Sequence, residues 1–323
     1  MQNPDRKPSS SAPNANVTGA GSLGFIQEDL LDETPPGTSI ADFRSPKLRK
    51  FRKHDQRISW RKYVGYGMDG IVFRVRFGDG DGPFALKVVF LEDLPPTTPL
   101  GLHHMYTPSW AFEMECKNAA RIEALRWAIC QSDEPIVVSS NPRGKKGAMN
   151  NVYAFTDEGR SRPVRYDDPQ PMPAFPDITH CYGWLKLRRR DIPRQFERLR
   201  WTEIVGRDVD PNADYQYALV YDYVDDAKIM SDQDVAEMQS QLDFFHLTGF
   251  SIHGYQARNW RRGRLVDFNE IVFCDRRLGW NEPSRIDALV WKGAAIRANN
   301  PPALNGCERG GAATVEDDHE SGE

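Results

Sequence analysis

The stretch ISWRKYVGYGMDGIVFRVRFGDGDGPFALKVVF, residues 58–90, decides how this chain is read. Gly65, Gly67 and Gly70, followed by Val72, give the spacing G-x-G-x-x-G-x-V. Glycines so placed let backbone N–H groups approach phosphate oxygens with no Cβ in the way. Lys87 closes the run Phe84-Ala85-Leu86-Lys87 and supplies a point charge suited to the same phosphates. Three glycines at this spacing also open dinucleotide-binding turns, and the residues after the third glycine separate the two cases. A dinucleotide turn runs into a helix, whereas here Ile71, Phe73, Val75 and Phe77 alternate with Val72, Arg74 and Arg76 at period two. The element is strand, glycine turn, strand. Its plain counterpart is a hairpin whose glycines serve only the turn.

The whole chain has 323 residues, 39% hydrophobic and 27% charged, with 23 prolines and a net charge of −4. That composition describes a globular protein with polar, proline-bearing loops or tails. No apolar run approaches the roughly 18 residues of a membrane-spanning helix, and the N-terminus lacks the apolar core of a signal peptide. An intracellular protein, nuclear or cytoplasmic, with no membrane partner is expected. Cys116, Cys130, Cys181, Cys274 and Cys307 form no C-x-x-C pair, so reduced thiols are expected.

Residues 1–45 are rich in Ser, Pro, Asn and Gly and read as a disordered tail, and 295–323 read as a disordered acidic one. The basic run from Lys47 to Arg57 reads as a solvated linker. Its alternative, a nucleic-acid contact, lacks interleaved aromatics beyond Phe51 and meets a net negative protein, so nucleic acid is not expected as a partner. The segment TPSWAFEMECKNAARIEALRWAI predicts a helix with Thr107 as N-cap and Pro108 at its first position. Glu115 falls on the apolar stripe of Phe112, Ala119 and Ile122. A carboxylate there calls for a cation opposite, with Lys87 the candidate and Glu113 the second choice for the carboxylate.

Residues 131–177 are polar and proline-rich without sustained periodicity, and read as a loop insertion. A strand comes next over Ile178 to Leu187, then a basic run from Arg188 to Arg200, read as solvated surface. Tyr217–Val224 is a continuous apolar strand. Ser231 with Asp234 predicts a capping box, Val235, Met238, Leu242 and Phe245 a buried stripe, and Gly249 the end of that helix. Beyond it, GFSIHGYQARNWRRGRLVDFNE carries Asn259 and Asp267, the hard oxygen donors a Mg²⁺ takes.

The order glycine turn, Lys87, Glu115, apolar strand, Asn259 and Asp267-Phe268 resembles the protein-kinase-like superfamily over residues 58 to about 290. The motifs PKLRKFRKHDQRISWRKYVGYG, FALKVVF, FEMECKNAARIEAL, ALVYDYV and NWRRGRLVDFNE are similar to a narrower group. That group is the fungal kinase-like family of kinetochore Sim-four complex subunits, Fta-two-like. The resemblance implies an α+β, protein-kinase-like two-lobed fold over 46–294, with a β-rich N-lobe and a shortened helical C-lobe. It implies ATP and Mg²⁺ as cofactors. The nucleotide would meet Gly65, Gly67, Gly70, Val72, Lys87 and Glu115, and the hinge residues Asp222 and Val224, with Tyr221 guarding the pocket behind. The metal would meet Asn259 and Asp267.

Three departures qualify the resemblance. Gly254 stands where the register from Asn259 places a kinase's proton-accepting aspartate, and His253 is the nearby group that titrates near neutrality. Asn269 replaces the D-F-G glycine, a residue that tolerates positive φ and can keep the turn. Only 54 residues lie beyond Asn269, too few for the activation segment and peptide-docking helices of a kinase. These departures favour a pseudokinase acting as a protein-interaction scaffold, associated with kinetochore subunits if the narrower likeness holds. The alternative is an atypical ATP-dependent kinase acting on a protein or small molecule.

Overall fold

The computed structural model describes residues 23–30, 34–67, 69–89, 111–193, 215–225, 231–252 and 259–275. In chain order the elements are α1 (Ile40–Arg44), β1 (Ile58–Tyr66), β2 (Gly70–Phe77), β3 (Asp81–Val89) and α2 (Ala111–Gln131). Then come β4 (Val137–Ser139), α3 (Gly144–Ala154), α4 (Asp157–Ser161), β5 (Pro169–Pro171), β6 (Cys181–Arg188) and β7 (Tyr215–Asp222). The last are α5 (Asp232–Leu247), β8 (Phe250–Ile252), β9 (Trp260–Arg261), β10 (Arg264–Leu265) and β11 (Ile271–Phe273). The fold is mixed α+β, centred on a five-stranded antiparallel sheet of order β1-β2-β3-β7-β6. A strand begins directly at Gly70, as the period-two alternation requires. No helix among the described residues is long and apolar enough to cross a membrane.

That alternation sorts the sheet's two faces. Ile71, Phe73, Val75 and Phe77 point to one side, where Leu86, Val88, Leu185, Leu187, Ala218 and Val220 join them under Phe51 and Ile192. Each such large side chain taken from water contributes about 1.5–3 kcal/mol. The other face carries Val72 opposite Lys87 in register, Ala85 two residues before it, and Leu219 and Tyr221 of β7. Helix α2 packs against this face, burying Phe112, Cys116, Ala119 and Ile122. Helix α5 matches the sequence reading closely. Ser231 accepts from Asp234 N at 3.1 Å while Asp234 takes Ser231 N at 2.6 Å, and Gly249 adopts φ +79° just past the helix.

Three expectations need correction. Residues 131–177 are folded, not a loop insertion: they hold β4, α3, α4 and β5, with β4 paired to β5. Their signal is weak because short elements are tied by side chains instead of a periodic apolar face. Asn151, fully buried, donates to Ser139 O and Leu247 O and accepts from Ser139 N, and Asp168 accepts from the Ser139 and Ser140 hydroxyls. The tail assigned to 1–45 is packed from Leu23 onward over its described part. Phe25, Ile26 and Phe43 are buried, Ile26 bridges Leu48, and α1 has its own capping box from Ser39 to Asp42. The basic run is not a solvated linker either. Leu48 and Phe51 are buried, and Arg49 and Phe51 exchange backbone hydrogen bonds with Trp184 of β6. Its cationic side chains hid a segment docked along a sheet edge. Thr107, Pro108, Arg194 and residues 1–22 and 295–323 lie outside the described residues.

Candidate functional site

Between the α2-bearing face of the sheet and the β9–β10 hairpin lies a cleft with about 190 Å³ of interior space. Gly65, Gly67, Gly70 and Val72 line it from the glycine turn, Lys87 and Ala85 from β3, Tyr221, Asp222 and Val224 from β7 and its exit, and Asn259 and Asp267 from the opposite wall. Residues far apart in sequence thus meet in one place. Glu115 lies behind them, 1% exposed. Gly254 and His253 lie outside the described residues.

Lys87 is the hub. Its Nζ stands 2.8 Å from Glu115 Oε2 and 3.1 Å from Asp267 Oδ1. Glu113, the second choice for that role, instead pairs with Lys117 one turn along α2. The Tyr221 hydroxyl donates to Glu115 Oε1 at 2.7 Å, and its ring stands edge-on to Phe268 at 5.6 Å, closing the rear of the cleft. Burial pushes the Lys87 ammonium down, but Asp267 and Glu115 outweigh it and hold the group above its ordinary range. Burial raises the Glu115 carboxyl, Lys87 pulls it back and Asp267 pushes it up again, which together leave it at about 7. The cation therefore stays charged near neutrality while its buried partner titrates there.

The three glycines are glycine for different reasons. A Cβ on Gly70 would sit 2.5 Å from Val88 O, so the β2–β3 ladder itself excludes a side chain there. Added Cβ atoms on Gly65 and Gly67 would meet nothing within 4 Å, and neither residue has a positive φ. Glycine in a strand or its turn costs roughly 0.5–1 kcal/mol relative to alanine. Nothing within the described protein calls for that cost at these two positions.

On the opposite wall, Asn259 is buried and its carbonyl accepts from Val266 N at 2.8 Å, which sets Asp267 beside it. Asp267 caps a 3₁₀ turn over Phe268–Glu270 by accepting from Asn269 N at 3.2 Å. The expectation that Asn269 keeps this turn through a positive φ is corrected. Among the described residues Arg262 is the only non-glycine with one, and the Asn269 side chain instead donates across the cleft to Asp69 at 2.7 Å. The Asn259 and Asp267 oxygens fit a Mg²⁺ by donor type. Among the described residues no group of three or more His, Cys, Asp or Glu is arranged for a metal, so phosphate oxygens and water would complete its shell.

The Asp222 carboxylate is already engaged, accepting from His180 N at 3.0 Å and the Tyr182 hydroxyl at 2.7 Å. Its side chain anchors the exit of β7, and what it offers the cleft is backbone. Sequence reading missed Asp69, Thr179, Tyr223 and Arg261, which also line the cleft. Arg261 carried no signal of this, because its strand is only two residues long, Trp260–Arg261, too short to show a period. Compared with known proteins, the chain matches no protein-family model and no curated protein.

Proposed function

We propose that the chain is a degenerate protein-kinase-like module with two lobes, a β-rich one carrying the sheet and α2 and a shortened helical one carrying α5. It holds an adenine nucleotide in the cleft and works as a protein-interaction scaffold. The observation that carries this reading is the meeting of Lys87, Glu115 and Asp267 beneath a turn whose first two glycines, Gly65 and Gly67, leave open space. Phosphate oxygens approaching backbone N–H groups would use that space, and Lys87 would face them. Asn259 and Asp267 would hold Mg²⁺, which neutralises phosphate charge when bound. Adenine would lie at Asp222–Val224, against backbone. The scaffold role rests on Gly254 in the aspartate's register. A protein partner from a kinetochore assembly is suggested by the narrower likeness of the motifs.

Thermal denaturation with ATP, with and without Mg²⁺, tests the nucleotide half. At a hundredfold excess over Kd, binding should stabilise the folded state by about 2.7 kcal/mol. Lys87→Ala and Asp267→Ala should each remove most of that gain. A gain surviving in both variants would place the nucleotide elsewhere. Phosphate transfer from labelled ATP should stay at background, and robust transfer abolished by Asp267→Ala would establish the phosphotransferase reading instead.

A further inference from the structure

The five-stranded sheet has two edges, and they differ. Strand β1 ends the sheet on one side with bulges between Trp60 and Lys62 and between Tyr63 and Gly65, so its outward N–H and C=O groups are unevenly spaced. Strand β6 ends it on the other, in unbroken register with β7 from Trp184 to Arg188. Part of this edge is already covered: Trp184 N donates to Arg49 O at 3.0 Å and Trp184 O accepts from Phe51 N at 2.7 Å, so the segment around Lys50 lies along β6 as a parallel strand. The chain then turns away, with His54 N bonded back to Phe51 O. Outward groups recur at every second residue, so the next pair along the edge belongs to Lys186, and among the described residues it has no partner. By the same alternation Trp184, Lys186 and Arg188 share the α2-facing side, Trp184 buried and the two cations exposed beyond it. Lys186 Nζ lies 4.6 Å from the Tyr215 ring centre and 5.8 Å from that of Tyr217, and Lys50 Nζ lies 5.9 Å from that of Trp184. Among the described residues none of these three cations has a carboxylate partner.

We propose that the open stretch of β6 at Lys186–Arg188 is a docking edge for an acidic, extended segment of a partner protein, added to the sheet as a further strand. This gives the scaffold reading, on which it rests for its use, a place of contact, and it depends on nothing in the cleft. A strand edge selects peptide backbone, because only another chain returns both an N–H and a C=O at ladder spacing. Charge then chooses among chains. A second copy laying its own β6 here would set Lys186 and Arg188 against their like, which is unfavourable, whereas carboxylates at alternate positions of a partner strand would face them as opposite pairs. A nucleic acid would meet the same cations but has no backbone to continue the ladder, and the Tyr215 and Tyr217 rings on which it would stack already lie under Lys186.

The test is fluorescence anisotropy of the full chain, without ATP, against a short labelled peptide alternating glutamate with valine, its lysine–valine counterpart, and a copy of the acidic peptide N-methylated at every amide. The acidic peptide should bind wild type and weaken about tenfold or more in the double variant Lys186→Glu, Arg188→Glu, whose urea midpoint should stay unchanged because both side chains are exposed. The lysine–valine peptide should fail for its charge and the N-methylated copy for its missing N–H groups. No binding of the acidic peptide at millimolar concentration, equal affinity in wild type and double variant, or equal affinity for the N-methylated copy would each overturn the docking edge. A wild-type dimer in sedimentation that the double variant dissolves would overturn it in favour of a contact between copies. Single-stranded oligonucleotide binding tighter than that of the acidic peptide, and lost in the double variant, would overturn it in favour of nucleic acid. Failure of the docking edge would leave the nucleotide reading standing, and absence of ATP binding would leave the docking edge standing.

Discussion

The two walls of the cleft are held by different kinds of bond. The sheet wall is a backbone ladder, in which β1, β2, β3 and β7 satisfy one another's N–H and C=O groups over strands of eight or nine residues. The opposite wall has strands of two residues and depends on buried amide side chains. Gln241 of α5, fully buried, donates to Gly263 O at 2.6 Å and accepts from Leu265 N at 3.1 Å. Asn118 of α2 donates to Phe268 O at 2.9 Å and Ile271 O at 2.8 Å. A ladder distributes its stability over many bonds, whereas a side-chain clamp concentrates it in one residue. Single substitutions should therefore act very differently on the two sides.

The largest effect is expected from Gln241→Ala, which leaves a buried N–H and C=O of the hairpin without partners and opens a void. Unsatisfied buried groups cost about 1–3 kcal/mol each, so a loss of roughly 3 kcal/mol or more is expected in urea denaturation. A loss below about 1 kcal/mol would show that the hairpin holds itself and would erase the contrast between the walls.

On the sheet wall, Gly70→Ala and Gly67→Ala should separate sharply. The first drives a Cβ into Val88 O and should cost about 2 kcal/mol through displacement of the ladder. The second enters open space and should leave apo stability unchanged or raise it by up to about 1 kcal/mol, while reducing stabilisation by ATP. Equal stability losses in the two variants would mean that the turn's glycines are all structural.

Near the cleft, buried Glu115 and half-buried His180 titrate in opposition. Burial, with Arg126 beside it, lowers His180 to about 4 from 6.5, against the pull of Asp222. The unfolded chain takes up that proton first, so stability falls as pH drops from about 6.5 to about 4, by on the order of 2 kcal/mol after allowing for its partial exposure. Glu115 is raised from 4.5 to about 7, so the folded chain keeps its proton longer and stability falls as pH rises through that interval. In His180→Asn only the second slope should remain, giving a protein more stable at pH 5 than at pH 7. Denaturation midpoints at the two pH values check this, and a wild-type-like difference in the variant would rule His180 out as the opposing group.

The smallest effect concerns Thr179, 1% exposed beside the cleft, whose hydroxyl has no hydrogen-bond partner among the described residues. Thr179→Val removes an unsatisfied buried group at nearly constant shape and should stabilise the protein by about 1 kcal/mol. Destabilisation by that amount would reveal a bond that the hydroxyl makes in solution.

By itself the sequence determined those parts in which neighbours along the chain decide the outcome. The alternation from Ile71 to Phe77 makes a strand wherever it is placed, because side chains of period two can bury one face only in an extended chain. Ser231 and Asp234 cap their helix through groups three residues apart, and Glu115 on an apolar stripe demanded a cation. Other parts needed the tertiary structure, because their partners lie far away in sequence and share no period with them. Glu115, Asn118 and Arg121 all lie on the buried side of α2. They tie it respectively to Lys87, to the carbonyls of Phe268 and Ile271, and to Phe43 O and Asp275. From composition such residues look like a solvated face. The docking of Phe25 and Phe51, the folding of 137–171 around Asn151, and the turn of Arg261 into the cleft share that origin. A polar or isolated apolar side chain carries no local signal of burial, and only the arrival of its distant partner makes burying it favourable.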